Sequence, residues 1–270
     1  MAPNRRLRQT RVVLLAYQMR EGLWRFTGEP IRFNVKGQLC DGQHRLQAVL
    51  QTGLAQKFLV LRNLPEDAMT VVDTGRPRSL SDFLFMRGEA RSGSLAAAIH
   101  QLNNYQVTGE FGKPPWAGTT PIQRDLDLLE KHPGLRQSVV ATGSVSSAMA
   151  GGHGIWAAIH YVCAQVSFDD AEMFFTKLYT GEELGVGAPI RLLRTRLLED
   201  RNSLRRMDLR TRSALILKAW GLFLRGEQIE VLSWRGGGAN PEAYPPVDGG
   251  VDFKESLEHV SFYSGTRTPG

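Results

Sequence analysis

The sequence predicts an α+β fold, in which a small domain with a mixed sheet precedes a mainly helical region. Residues 31–35 alternate between apolar and polar side chains, and Gly37 separates them from a second short apolar run at residues 39–40. This pattern is typical of two strands joined by a tight turn. From Ser79 onward, apolar residues recur at helical spacing instead. We therefore divide the chain into residues 1–78, residues 79–226, and an extended glycine- and proline-rich segment, residues 227–270.

The small domain also contains two predicted helices and a third strand. An apolar stripe between residues 12 and 19 predicts the first helix, and apolar spacing after Gln43 predicts a second helix that ends at Gly53. The continuous apolar run at residues 58–61 predicts a buried strand that closes the core of this domain. In the helical region, we expect helices over residues 80–86, 95–102, 121–129, 155–166, 171–178, 190–198 and 209–224.

Composition limits the classes of function. The two cysteines, Cys40 and Cys163, form neither a disulfide framework nor a metal-ligand spacing, which favours a reducing, cytoplasmic setting. No apolar run approaches the length of a membrane-spanning helix, so we expect no membrane partner. Walker, zinc-protease and serine-elbow motifs are absent from the sequence, which excludes the usual ATPase motors and hydrolases.

The junction between the second strand and the second helix reads Asp41, Gly42, Gln43, His44, Arg45. The first N–H groups of a helix and the positive end of its dipole favour an anion there. Gly42 allows close approach of a ligand, Arg45 has the fork geometry that suits a phosphate, and His44 can exchange a proton. A structural helix cap followed by ordinary surface residues explains the same pattern equally well.

Residues 41–45, together with residues 19–24, 27–31 and 72–78, resemble the ParB/sulfiredoxin superfamily, in particular its DGQHR-type branch from phages and actinobacterial mobile elements. The resemblance covers about residues 5–80 and implies a bacterial host cytoplasm. It implies that the junction holds the phosphates of a nucleoside triphosphate or diphosphate, such as ATP or CTP, with Mg²⁺ as a candidate companion. The phosphate-binding residues that it implies are Gly42, Gln43, His44, Arg45, Thr74 and Arg76.

The same resemblance directs attention to acid, base or magnesium-contact roles for Glu29, Asp41 and His44. The sequence itself identifies no metal-ligand set. Sulfiredoxins have their catalytic cysteine where this chain has Gln43, which argues against sulfinic-acid reduction. ParB proteins have arginine where this chain has His44, and no ParB-type DNA-binding motif follows, which argues against chromosome partition.

A second cluster lies in the helical region, where residues 191–212 contain eight arginines, no lysine and only three acidic residues. Arginine without lysine fits phosphate contacts better than it fits a solvated helix face. We expect nucleic acid, most simply DNA, to be the partner. The alternative is that these arginines pair with acidic residues elsewhere or at a contact between copies of the chain. The residues assigned to nucleic acid are Arg191, Arg194, Arg201, Arg205 and Arg206.

Three functional hypotheses follow. In the first, the protein binds a nucleotide at residues 41–45 and acts on DNA by phosphate chemistry, namely hydrolysis, phosphotransfer or strand cleavage. In the second, it is a non-enzymatic DNA-binding regulator that senses the nucleotide. In the third and least supported, it modifies a nucleobase or nucleotide. Turnover distinguishes the first from the second.

Overall fold

The computed structural model describes residues 7–65, 79–112 and 121–247, and the fold is α+β, as the sequence predicts. The chain forms two compact units. The first consists of Met1–Arg78 and Trp116–Arg124, and the second of Ser79–Pro115 and Asp125–Gly270. No helix in the described ranges is long and apolar enough to cross a membrane.

The first unit contains helix α1 (Gln9–Arg20), strands β1 (Ile31–Asn34) and β2 (Leu39–Asp41), helix α2 (Gln43–Thr52) and strand β3 (Val60–Leu64). The sheet order is β2-β1-β3, with β1 antiparallel to β2 and parallel to β3. The predicted hairpin and both predicted helices are confirmed. The helix α2 ends at its C-cap residue, Gly53, whose backbone is in the left-handed conformation. Glycine adopts this conformation without steric cost.

The core of the first unit differs from the prediction. Buried residues of α1 and Ala48 of α2 pack together with Trp24 and Phe58 around them. The sequence predicts that the apolar run at residues 58–61 is a buried strand, but Val60 and Leu61 of β3 are 45% and 39% exposed. β3 is at the edge of the sheet, and the packed cluster of α1 and α2 includes none of its residues. An apolar run identifies a strand better than it identifies what covers that strand.

The second unit is helical. The helices that follow β3 in the chain are α3 (Leu80–Met86), α4 (Ser92–Thr108), α5 (Ile122–Lys131), α6 (Leu135–Ala141), α7 (Gly143–Ala148), α8 (His153–Ala164), α9 (Phe168–Thr180), α10 (Pro189–Asn202) and α11 (Leu209–Leu224). The first three residues of α5 belong to the segment Trp116–Arg124 of the first unit, and the other helices lie wholly in the second. Every helix predicted from residue 80 onward is present. The sequence did not predict α6 and α7, because both helices are short, with seven and six residues, and α7 consists mostly of serine and glycine.

The centre of this unit is α8, which is buried along almost its whole length. Gly154 allows α8 to pack closely against α4, since an added Cβ would be 2.4 Å from the Cβ of Ala97. The indole rings of Trp156 and Trp220 are fully buried, and Phe174 packs edge-on against Trp220.

The chain continues beyond α11 without further helix or strand up to residue 247, and this segment packs on the helical unit. Trp234 is 9% exposed and donates its indole N–H to the carbonyl of Ala243. The hydroxyl of Tyr244 donates to Ser213 of α11 and accepts from the backbone N–H of Phe111. The side chains of this segment, rather than regular hydrogen bonding, hold it in place.

Candidate functional site

Gly42 fixes the geometry of the predicted phosphate site. It has φ +102°, it is buried, and an added Cβ would be 2.4 Å from the Cδ1 of Ile31 on β1. Only glycine combines this conformation with such close contact. Its N–H donates to the Asp41 carboxylate at 2.8 Å, so the turn starts α2 directly above the sheet.

The Arg45 guanidinium, the expected phosphate ligand, is bound to the protein itself. It donates to the backbone carbonyls of Glu29 at 2.7 Å and Pro30 at 2.8 Å, and to the Asp41 carboxylate at 3.2 Å. The Asp41 carboxylate also accepts from Arg32 at 2.6 Å. Arg45 therefore fastens the start of β1 to α2. A phosphate contact by Arg45 stays a prediction, and it would require Arg45 to exchange these bonds.

His44 joins the beginnings of the two helices. Its Nε2 accepts a hydrogen bond from the backbone N–H of Arg8, the N-cap residue of α1, at 3.0 Å. An accepting Nε2 carries no proton, so the neutral ring is protonated at Nδ1. The lone pair that a general base would use is thus already engaged in this structure.

The helices α1 and α2 run side by side in the same direction. Their N-termini meet at His44, and at the other end Arg20 donates to the carbonyl of Gln51 at 3.4 Å. Neither N-cap residue accepts a hydrogen bond through its own side chain, and neither first turn contains an acidic residue. The carboxylate nearest to these ends is that of Asp41, which accepts the N–H of Gly42 and is paired with Arg32 and Arg45. Two positive dipole ends therefore lie together, and Arg8 and Arg11 add exposed guanidinium groups at the start of α1.

The remaining predicted residues of this site are only partly placed. Glu29 is exposed, and its backbone lies against Arg45, so the predicted proximity of Glu29 to the turn holds for the main chain. Gln43 is half-buried at the first position of α2. Thr74 and Arg76 lie outside the described residues. Within the described ranges, no group of three or more His, Cys, Asp or Glu side chains is arranged to hold a metal ion.

The arginine cluster of residues 191–212 separates into structural and solvent-facing members. Arg212 is buried and donates to Asp200 through Nε at 3.2 Å and Nη2 at 2.7 Å. Arg210 pairs with Glu110 and stacks over Trp234 with its guanidinium carbon 4.9 Å from the ring centre. Burial of Arg212 and pairing of Arg210 remove two charges from the surface that the sequence assigned to nucleic acid.

Two of the five predicted nucleic-acid residues cap neighbouring helices. Arg194 donates to the carbonyl of Leu178 at the end of α9, and Arg201 donates to the carbonyl of Ala148 at the end of α7. Cations are favourable at such helix ends. Arg191, Arg205 and Arg206 are exposed, and Arg206 has only a 3.5 Å contact with a backbone carbonyl. These three are available to a partner.

One arrangement that sequence reasoning missed is a serine–histidine–glutamate chain in the helical unit. His160 Nδ1 is 3.0 Å from Ser138 Oγ, and its Nε2 is 3.0 Å from the Glu172 carboxylate. Burial lowers the pKa of His160, against the opposing effect of Glu172. Ser138 is 2% exposed, so no substrate reaches it, and the chain is a structural network. Its members are on three helices, and no sequence spacing connects them.

Comparison of this chain with protein-family models, curated proteins and solved structures gave no match.

Proposed function

We propose that this protein is a DNA-binding regulator that takes a nucleotide phosphate at the adjoining N-termini of α1 and α2. The single observation that supports the phosphate site is the convergence of two parallel helix N-termini at His44, where neither N-cap residue caps its helix with its own side chain and neither first turn contains an acid. The resemblance to the ParB/sulfiredoxin superfamily supports a nucleoside triphosphate or diphosphate, such as ATP or CTP, as the ligand.

Electrostatics explains why an anion belongs there. Each helix end carries about half a positive elementary charge, and two such ends side by side repel each other. Arg8 and Arg11 increase this repulsion, and no described acidic side chain pairs with their guanidinium groups. The Asp41 carboxylate at the start of α2 is itself paired with two guanidinium groups, those of Arg32 and Arg45. A phosphate with two or more negative charges would be attracted to both helix ends, and its binding would replace their repulsion by attraction and stabilise the first unit.

The contacts of the candidate catalytic groups favour sensing over turnover. Asp41 accepts from two guanidinium groups and His44 Nε2 accepts a backbone N–H, so neither is free to take a proton without breaking the turn. The enzymatic alternative, phosphate hydrolysis, phosphotransfer or strand cleavage, depends mainly on Glu29, whose exposed side chain is attached to the backbone that Arg45 holds.

The ligand experiment measures thermal stability with inorganic phosphate, ADP, ATP and CTP. We expect at least one nucleotide to raise the midpoint temperature of thermal unfolding. The double variant R8Q/R11Q should bind that nucleotide about tenfold or more weakly, since each charge-assisted contact contributes about 1.5–3 kcal/mol. The control is R191Q, which removes an arginine from the first turn of α10 in the other unit. Equal binding by R8Q/R11Q and wild type would refute the site.

Turnover is tested with Mg²⁺ present, by following each nucleotide and a DNA duplex for products. The regulator hypothesis predicts binding without product. If product forms and E29Q abolishes it while nucleotide binding persists, the enzymatic alternative replaces the regulator.

The DNA experiment measures duplex affinity against salt concentration. Phosphate contacts make log K fall by about 0.9 per contact with log salt on duplex DNA. We expect R205Q/R206Q to reduce this slope by about 1.8. The variant R87Q/K131Q removes two exposed charges elsewhere on the helical unit and should leave the slope nearly unchanged. If R205Q/R206Q has the same slope of log K against log salt as wild type, Arg205 and Arg206 do not contact DNA phosphates.

A further inference from the structure

The loop between α10 and α11 presents a single apolar side chain among arginines. Leu204 is fully exposed, at 108% of its reference area, and no other large apolar side chain in the described ranges is as exposed. Arg201, Arg205 and Arg206 are its exposed neighbours in the chain. Leaving a leucine in water forgoes about 1.5–3 kcal/mol that its burial would provide. Such a residue is suited to a contact made outside the chain.

Local hydrogen bonds hold this leucine at the tip of the loop. The hydroxyl of Ser203 donates to the carbonyl of Arg205 at 3.0 Å and accepts from the N–H of Arg205 at 3.1 Å. These two bonds close a small ring around Leu204, so its outward position is part of the turn itself.

The base of the loop is fastened to the helical core. The buried Asp200 carboxylate accepts the backbone N–H of Met207 on one oxygen and the guanidinium of Arg212 on the other. Arg212 in turn donates to the carbonyl of Met207 at 2.9 Å. Because this ion pair joins both ends of the loop, the loop is organised before any partner arrives, which lowers the entropy lost on binding.

We propose that Leu204 is an apolar wedge that enters the minor groove of duplex DNA and opens one base step. This inference rests on the proposed DNA binding and specifies its mode. Proteins that bend DNA from the minor groove combine inserted apolar side chains with arginine contacts to the flanking backbone. Leu204 supplies the first component, and Arg205 and Arg206 supply the second. Flexible pyrimidine–purine steps are the preferred target, because they open at the lowest cost.

Charge distinguishes DNA from a protein partner or a second copy of the chain. Two of the three acidic residues within residues 191–212 are engaged within the unit, and the third, Glu199, is exposed on α10 ahead of the loop. Asp200 pairs with Arg212, and Asp208 accepts from the backbone N–H and the hydroxyl of Thr211 at the start of α11. The tip is left with an apolar centre and cationic surroundings, which complement a groove lined by phosphates.

The test uses full-length protein and a DNA duplex with 2-aminopurine at a central TA step, whose fluorescence rises on unstacking, together with end-to-end energy transfer to report bending. We expect wild type to raise the 2-aminopurine signal and shorten the end-to-end distance. The variant L204A should lose both signals and about tenfold in affinity, but keep the salt slope. The control is V186A, which truncates another exposed apolar residue, 84% exposed, on the same unit.

The outcomes separate the two proposals. If wild type does not bind DNA, the proposed function fails and the wedge with it. If wild type binds and L204A gives the same fluorescence and bending, only the wedge is overturned. A change in the sedimentation of L204A, with DNA binding unaltered, would assign Leu204 to a contact between copies of the chain and would also overturn the wedge.

Discussion

Replacing Arg212 with methionine should destabilise the helical unit by about 3–5 kcal/mol, because it leaves the Asp200 carboxylate buried without a counter-charge. The two side chains are 8% and 2% exposed, and Arg212 makes three hydrogen bonds, two to Asp200 and one to the carbonyl of Met207. In R212M, Asp200 retains only the Met207 N–H among these contacts. For a unit of this size, the loss corresponds to a fall in Tm of about 6–20 °C.

The assay is urea denaturation at pH 7, supported by calorimetry. The control is R225M, because Arg225 and Glu227 form a pair in which each side chain is 48% exposed, and its loss should cost less than about 1 kcal/mol. The double variant D200L/R212M removes both charges and should recover most of the stability, since the penalty comes from the orphaned carboxylate. If R212M costs no more than R225M, or if the double variant is as unstable as the single one, this reasoning is wrong.

Three further predictions concern the turn at Gly42, Arg45, and the histidines His153 and His160. G42A should cost about 2–5 kcal/mol through backbone strain and contact with the strand beneath, whereas G37A, with φ +69° and open space around its Cβ, should cost about 1–2 kcal/mol in urea denaturation. R45A should destabilise the first unit by about 1.5–3 kcal/mol and speed hydrogen exchange in α2, even without ligand. Unchanged hydrogen exchange would show that the bonds from Arg45 to the carbonyls of Glu29 and Pro30 do not stabilise α2. Burial lowers the pKa of His153 and His160, so the stability that they contribute is complete above about pH 6.5 and is lost as the pH falls. The variant H160Q should therefore lose less stability than wild type between pH 7.5 and pH 5, as measured by calorimetry.

Local patterns predicted most of the fold. The hairpin at residues 31–41, α1, α2, α3 and α11 follow from alternation, helical spacing and well-placed glycines. The exposure of β3 did not follow, because the packing of the first unit depends on which elements α1 and α2 cover. A chain-wide property of this kind leaves no local pattern.

The sequence predicts where the candidate site lies in the chain, but it does not predict which groups its side chains bond. The strand-to-helix junction and the glycine at its centre lie where the sequence predicts them. The partners of Arg45 could not be predicted, because the carbonyls of Glu29 and Pro30 reach it only through the pairing of β1 with β2. Likewise, the arginine run suggested a uniform cationic face, although Asp200 and Glu110 withdraw two of its members into the structure.

The segment after α11 means that the helical unit does not end where its helices end. Arg210 is held between Glu110 and the ring of Trp234, Lys218 between the carbonyl of Ser233 and the Glu242 carboxylate, and Tyr244 reaches Ser213. A chain cut after residue 226 would therefore keep α1 to α11, all the helices of the described residues, and still lose the covering of one face of α11. Functional dissection of this protein has to treat residues 227–247 as part of the fold, although they contain no regular secondary structure.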